Sequence, residues 1–124
     1  MIKHIKFTEL PVDDQDRAVK FYTEKIGFVL AQDVPYRDGW RWIELEIPGA
    51  QTRLLLSQRT GSVATDSPQL VLIVEDAAAT YEDLSRNGVI FTKEPSQAPW
   101  NPGETFAQFR DSEGNGIVIS STRG

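Results

Sequence analysis

Val12–Phe28, VDDQDRAVKFYTEKIGF, reads as one helix with marked ends. Asp13 is placed to cap its first free N–H groups, and Asp14 and Asp16 lie where the positive end of the helix dipole favours acids. Ala18, Phe21, Tyr22 and Ile26 fall on one face at helical spacing, and Gly27 supplies the left-handed residue that ends the helix. Upstream, Lys3 to Val12 is rich in Ile, Phe and Thr and reads as a strand ending at Pro11 and the aspartates. Downstream, strands are expected over Phe28–Val34, Trp40–Ile47 and Thr52–Ser57, the last two joined by the turn IPGAQT.

The order then returns. QLVLIVED reads as a strand, Ala77–Asn87 as a helix with Ala77, Tyr81 and Leu84 on one stripe, and Gly88 as its stop. VIFTKEP, ETFAQFRD and GIVISS follow as strands, with DSEGNG as the hairpin turn. Val12 matches Val74, Gly27 matches Gly88 and Gly49 matches Gly114, at offsets of 62, 61 and 65 residues. The chain is thus predicted to be α+β, a tandem of two βαβββ modules over residues 1–58 and 68–124, with a polar linker at 59–67. A module of about 60 residues covers one sheet face with its helix and leaves the other bare. Two such sheets can curl into a half-open barrel with helices outside and a cavity inside, a natural place for a ligand.

Composition narrows the functions. At 124 residues the chain suits a single domain that hides roughly two-thirds of its unfolded surface. It has no cysteine, which removes disulfides, thiolate metal sites and cysteine nucleophiles together. A net charge of −5 argues against general nucleic-acid binding, which needs basic patches. No window approaches the ~20 apolar residues of a membrane span, and the opening MIKHIKFTELPV lacks a secretory pattern. A cytoplasmic protein with no membrane or nucleic-acid partner is expected.

LPVDDQDRAVKFYTEKIGF, GVIFTKEP, Pro99-Trp100 and FRDSEGNGIVI together resemble the vicinal oxygen chelate superfamily, which includes glyoxalase I, extradiol dioxygenases and bleomycin-resistance proteins. The resemblance covers nearly the whole chain. In metal-dependent members it implies one ligand, usually His, five residues before the Val that precedes each helix, and a Glu four residues beyond the glycine of the last turn. Those places hold Phe7, Gln69 and Val118, and the symmetric fourth place, within 53–55, holds no carboxylate. His4, the sole histidine, lies three residues upstream of Phe7, which in a strand means the opposite face and about 10 Å away. No metal is therefore expected, with a divalent cation held by carboxylates and water as the alternative.

Alternation sorts the remaining wall. Arg41, Ile43, Leu45 and Ile47 suit the helix side, leaving Trp40, Trp42, Glu44 and Glu46 on the other. Phe106, Gln108 and Arg110 oppose Ala107 and Phe109, and Gly116, Val118 and Ser120 oppose Ile117 and Ile119. The expected ligand-binding set is Phe7, Glu9, Trp42, Glu44, Gln69, Trp100, Phe106, Gln108 and Val118, with Arg53 and Arg110 as further polar groups. Trp40 and Trp42 equally suit a core or dimer interface, and Pro99–Gly103 is either a lid or a plain turn. No catalytic set is evident; Glu9 and Glu44 are the candidate acids or bases.

The expected function is metal-free binding of a small organic molecule, in the manner of bleomycin-resistance proteins, by a homodimer without cofactor. The alternative is a metal-dependent glyoxalase- or dioxygenase-like enzyme acting on vicinal oxygens.

Overall fold

The computed structural model describes residues 1–61 and 67–122; most of the predicted linker, residues 62–66, lies outside them. The chain divides into two compact units, Met1–Ser62 and Val63–Gly124. In unit one, β1 (Phe7–Val12) leads into α1 (Gln15–Lys20), then β2 (Val29–Arg37), β3 (Trp40–Glu46) and β4 (Arg53–Gln58). Unit two repeats the order with β5 (Pro68–Ile73), α2 (Ala77–Arg86), β6 (Ile90–Gln97), β7 (Thr105–Arg110) and β8 (Gly116–Ser121). Each unit forms a four-stranded mixed sheet, ordered β1-β4-β3-β2 and β5-β8-β7-β6. In each, the first and last strands of the unit pair in parallel and the other pairs are antiparallel. The fold is α+β, built from two βαβββ modules.

The first helix departs from expectation in its cap and its pitch, and ends at Gly27 as expected. Its N-cap is Asp14, whose carboxylate accepts from the Arg17 N–H at 3.0 Å. Asp13, one residue early for that geometry, instead pairs with Arg59 across 2.8 Å. Past Lys20 the helix widens into a π-helical segment, Phe21–Ile26, which closes at Gly27 with φ of 95°. Phe21 and Tyr22 are both buried in the core, where Tyr22 stacks on Phe28 with ring centroids 5.7 Å apart. In α2, the Asp76 carboxylate accepts from the Ala79 N–H at 3.1 Å, and Gly88 follows the helix with φ of 90°.

Alternation places the core of unit one as expected. Leu10, Val12, Ile43, Leu45, Leu54 and Leu56 are buried on the helix side with Ala18 and Tyr22. Fully burying each large aliphatic side chain stabilises by about 1.5–3 kcal/mol. Gln15 adds a polar lock: its amide donates to the Arg41 carbonyl at 2.7 Å and accepts from the Arg41 N–H at 3.0 Å. Unit two ties its helix down with Ser121, whose hydroxyl oxygen accepts from the Ala77 N–H at 2.9 Å.

β2 runs to Arg37, beyond the predicted end at Val34, and its pairing with β3 shifts register between Pro35 and Arg37. Pro35 does not stop the strand because β2 lies at the sheet edge, where a missing N–H costs little.

Candidate functional site

The face of the first sheet away from α1 is set by register. Phe7 lies opposite Arg53 and Glu9 opposite Leu55 across the parallel β1–β4 pair, and Glu44 lies opposite Leu55 across β3–β4. Trp42 is the hub. Phe7 meets it edge-on with centroids 5.7 Å apart, and Tyr36 does so from β2 at 5.2 Å. Phe7, Tyr36, Trp40 and Trp42 line a cavity of about 230 Å³ together with Glu9, Arg37, Arg41 and the stretch 55–58 of β4. A cavity of about 150 Å³ already holds benzene, so there is room here for one or two fused rings.

Glu44 lies beside this cavity and is nearly sealed, at 2% exposure. Its carboxylate accepts from the Trp42 indole N–H at 2.8 Å and from Arg53 at 3.2 Å. The indole hydrogen bond is the main reason the carboxyl stays below its usual range; Arg53 and Lys6 add to the effect and burial opposes it. An anion held in this way is a weak base and a poor proton donor near neutral pH.

His4 departs from the reading that placed it on the far face. Strand geometry begins only at Phe7, so alternation does not extend back to residue 4. Its Nδ1 lies 2.9 Å from the Ile5 carbonyl, and its ring borders a second cavity with Lys6, Gln51, Arg53 and Glu44.

In unit two, Phe106, Gln108, Val118 and Ser120 share a face, with Phe106 opposite Ser120 and Gln108 opposite Val118. That face is partly filled. Phe106 and Val118 are buried in one cluster with Ala98, and Trp100, 59% exposed, lies over Phe106 with centroids 4.9 Å apart. Glu104 pins the segment by accepting from the Ser120 hydroxyl, and also from Trp100 and Asn101. Ser120, more than the others, keeps the Glu104 carboxyl below its usual range. Val118 therefore serves as core, and Pro99–Gly103 is the middle of a segment anchored at Ala98 and Glu104. Arg110, expected as a wall group, donates to the Gly114 carbonyl at 2.7 Å and braces the last hairpin. Gln69 is exposed on β5, where the pairing with β8 shifts between Pro68 and Leu70.

The structure thus gathers Phe7, Glu9 and Trp42 around one cavity, with Glu44 joined to it through Trp42. Phe106 and Val118 form a separate packed cluster with Ala98. Sequence reasoning missed Tyr36 by ending β2 too early, although Val34 and Tyr36 continue its alternation. It missed the Glu104–Ser120 bond because a loop glutamate carries no periodic signal.

The donors at the places that the resemblance assigns to a metal do not fit one. Phe7 offers a ring packed on Trp42, Val118 a buried aliphatic side chain, 53–55 an arginine and two leucines, and Gln69 one neutral amide oxygen on an exposed side chain. Among the described residues, no three His, Asp or Glu side chains gather closely enough to hold an ion. No helix among them is long and apolar enough to cross a membrane.

Residues 2–119 match the family model described as the Glyoxalase/Bleomycin resistance protein/Dioxygenase superfamily. The uncharacterized protein YetH of Bacillus subtilis is 38% identical over 121 residues, covering 96% of this chain and 98% of its own. TnmS3, an antibiotic binding protein from Streptomyces sp. CB03234, is 32% identical with a TM-score of 0.81, covering 97% of this chain and 96% of its own. A superfamily member from Sphaerobacter thermophilus is 28% identical with a TM-score of 0.83, covering 97% and 98%.

Proposed function

The chain belongs to the glyoxalase/bleomycin resistance protein/dioxygenase superfamily, and from that premise we propose that it is a binding protein for small organic molecules, working without a metal and without altering its ligand. The observation that carries this reading is the cavity walled by Phe7, Tyr36, Trp40 and Trp42. Its aromatic faces offer stacking surface to a flat ligand, and Glu9 offers a carboxylate at the edge. The nearest buried acid, Glu44, is already engaged by two donors, which leaves it a structural anion rather than a general base. The description of TnmS3 as an antibiotic binding protein supports the same class of ligand.

A homodimer in the cytoplasm is part of this reading. The exposed apolar side chains of Val71, Ile73 and Ile90 in unit two are the kind of surface that a second copy covers.

The test is a titration with 2-naphthalenemethanol, a neutral two-ring probe, followed by tryptophan fluorescence. Saturable quenching that is lost in Trp42→Ala supports binding at this cavity. A flat response refutes it. Metal analysis of protein purified without chelator is the companion measurement: stoichiometric metal, or a rise in Tm on adding Mn²⁺, Ni²⁺, Fe²⁺ or Zn²⁺, would favour a metalloenzyme instead.

A further inference from the structure

The second cavity, about 320 Å³, lies farther along the same sheet and carries no aromatic ring except that of His4. It is bordered by Lys6, Arg53 and His4, with Glu44 and Gln51 completing the wall. Among the described residues Glu44 is the one acid lining it; it pairs with Arg53 at 3.2 Å and also feels the charge of Lys6. Arg53 gives that bond through one of its terminal nitrogens, while its side chain remains 42% exposed. A guanidinium has five N–H donors in a fixed fork, so donors are left for a further partner. Lys6 has no side-chain hydrogen bond or ion pair among the described residues. Lys6 and Arg53 are the cations of this wall, against Glu44 within it and Glu46 opposite Arg53 across β3–β4. His4 has its Nδ1 turned to the Ile5 carbonyl, so its Nε2 edge is the one left for the cavity.

The two cavities meet at the hydrogen bond between Trp42 and Glu44. Phe7, on the aromatic wall, and Arg53, in the basic one, are direct partners across the parallel strands. Two residues along β3 separate Trp42 from Glu44, about 6.6 Å of strand. That separation lies within the span of a single small molecule with a ring system on Trp42 and a substituent directed along β3 towards Arg53.

We propose that the basic cavity binds an anionic group, a carboxylate or phosphate, and that the ligand of this protein is an aromatic acid whose rings occupy the aromatic cavity. The second half of this statement rests on the binding function proposed above; the first half does not.

The experiment separates the two. Three probes of one shape, 2-naphthoate, 2-naphthalenemethanol and 2-naphthylmethylammonium, are titrated by tryptophan fluorescence into the wild type and Lys6→Gln. Inorganic phosphate is titrated into the same proteins while the ring resonances of His4, the only histidine, are followed by NMR. The expected results are about tenfold tighter binding of the naphthoate than of the alcohol, in line with a charge-assisted hydrogen bond. Lys6→Gln should remove most of that preference and leave the alcohol unchanged, and phosphate should shift His4 saturably in the wild type only. If the alcohol and the naphthoate bind equally, or the ammonium binds best, and phosphate leaves His4 unmoved, the basic cavity is not an anion site while the binding function stands. If phosphate moves His4 but no naphthyl probe binds, the anion site stands, and the binding function and the aromatic acid fall with it. If neither phosphate nor any probe gives a response, both are overturned.

Discussion

Glu44→Gln isolates the electrostatics at the centre of the first sheet. The amide keeps the shape of the carboxyl and an oxygen for the Trp42 indole, but it loses the charge that attracts Arg53. Two charges 4 Å apart attract by about 4 kcal/mol at an effective dielectric constant of 20. The 3.2 Å contact is closer, but Arg53 is 42% exposed, so water screens the pair and rehydrates the arginine when it is freed. Desolvation of Glu44 offsets a further part. A net loss of about 1–2 kcal/mol near pH 7 is expected, which in a chain of this size lowers Tm by about 4–8 °C. The sign of the pH dependence follows from the lowered carboxyl. Its ordinary value is 4.5 and the folded value lies below that, so the stabilisation is complete above the ordinary value and is lost as pH falls through the folded one. Urea unfolding of wild type and variant between pH 7 and pH 3 should show the gap at pH 7 closing as the medium acidifies. Other acids titrate in both proteins and cancel in the difference. A gap that persists unchanged at pH 3, or is absent at pH 7, would refute the assignment of Glu44 as a buried, ionised partner of Trp42 and Arg53.

Two further outcomes concern the first helix. Asp14→Ala should cost about 1 kcal/mol by removing the cap at Arg17, and Asp13→Ala less than that, since Asp13 is half exposed in its pair with Arg59; urea midpoints of the two variants rank them. Gly27→Ala should cost more than about 1 kcal/mol because φ is 95°, even though nothing lies within 4 Å of an added Cβ; thermal unfolding measures it, and full stability in the variant would mean the left-handed closure is not required.

Much of the architecture was legible because it is written in periods and stops. The two helices, the six later strands and the sidedness of β3 follow from apolar spacing and from Gly27 and Gly88. What escaped was what depends on a neighbour distant in sequence. Asp13 and Asp14 look alike in a string, and only Arg59, brought alongside by the pairing of β1 with β4, separates their roles. Gln15 reads as an ordinary helix polar residue until β3 presents the Arg41 backbone to it.

The site followed the same division. Phe7, Trp42 and Glu44 were placed on one face by counting. Val118 was placed on the predicted face as well, but counting could not reveal that Ala98 would fold back over it. His4 was misread because a strand period was carried into residues that are not strand.

The π-helical segment at Phe21–Ile26 explains an irregularity in the repeat. From cap to closing glycine, Asp14 to Gly27 is one residue longer than Asp76 to Gly88, and the wider turn is where that residue is taken up. The surplus is absorbed inside a helix that can change pitch, so it never reaches the strands. Both halves keep the same strand order, and both last strands still return parallel to the first. The helix acts as a length buffer, letting one copy of the motif carry an insertion that would have reversed every side chain had it fallen in a strand.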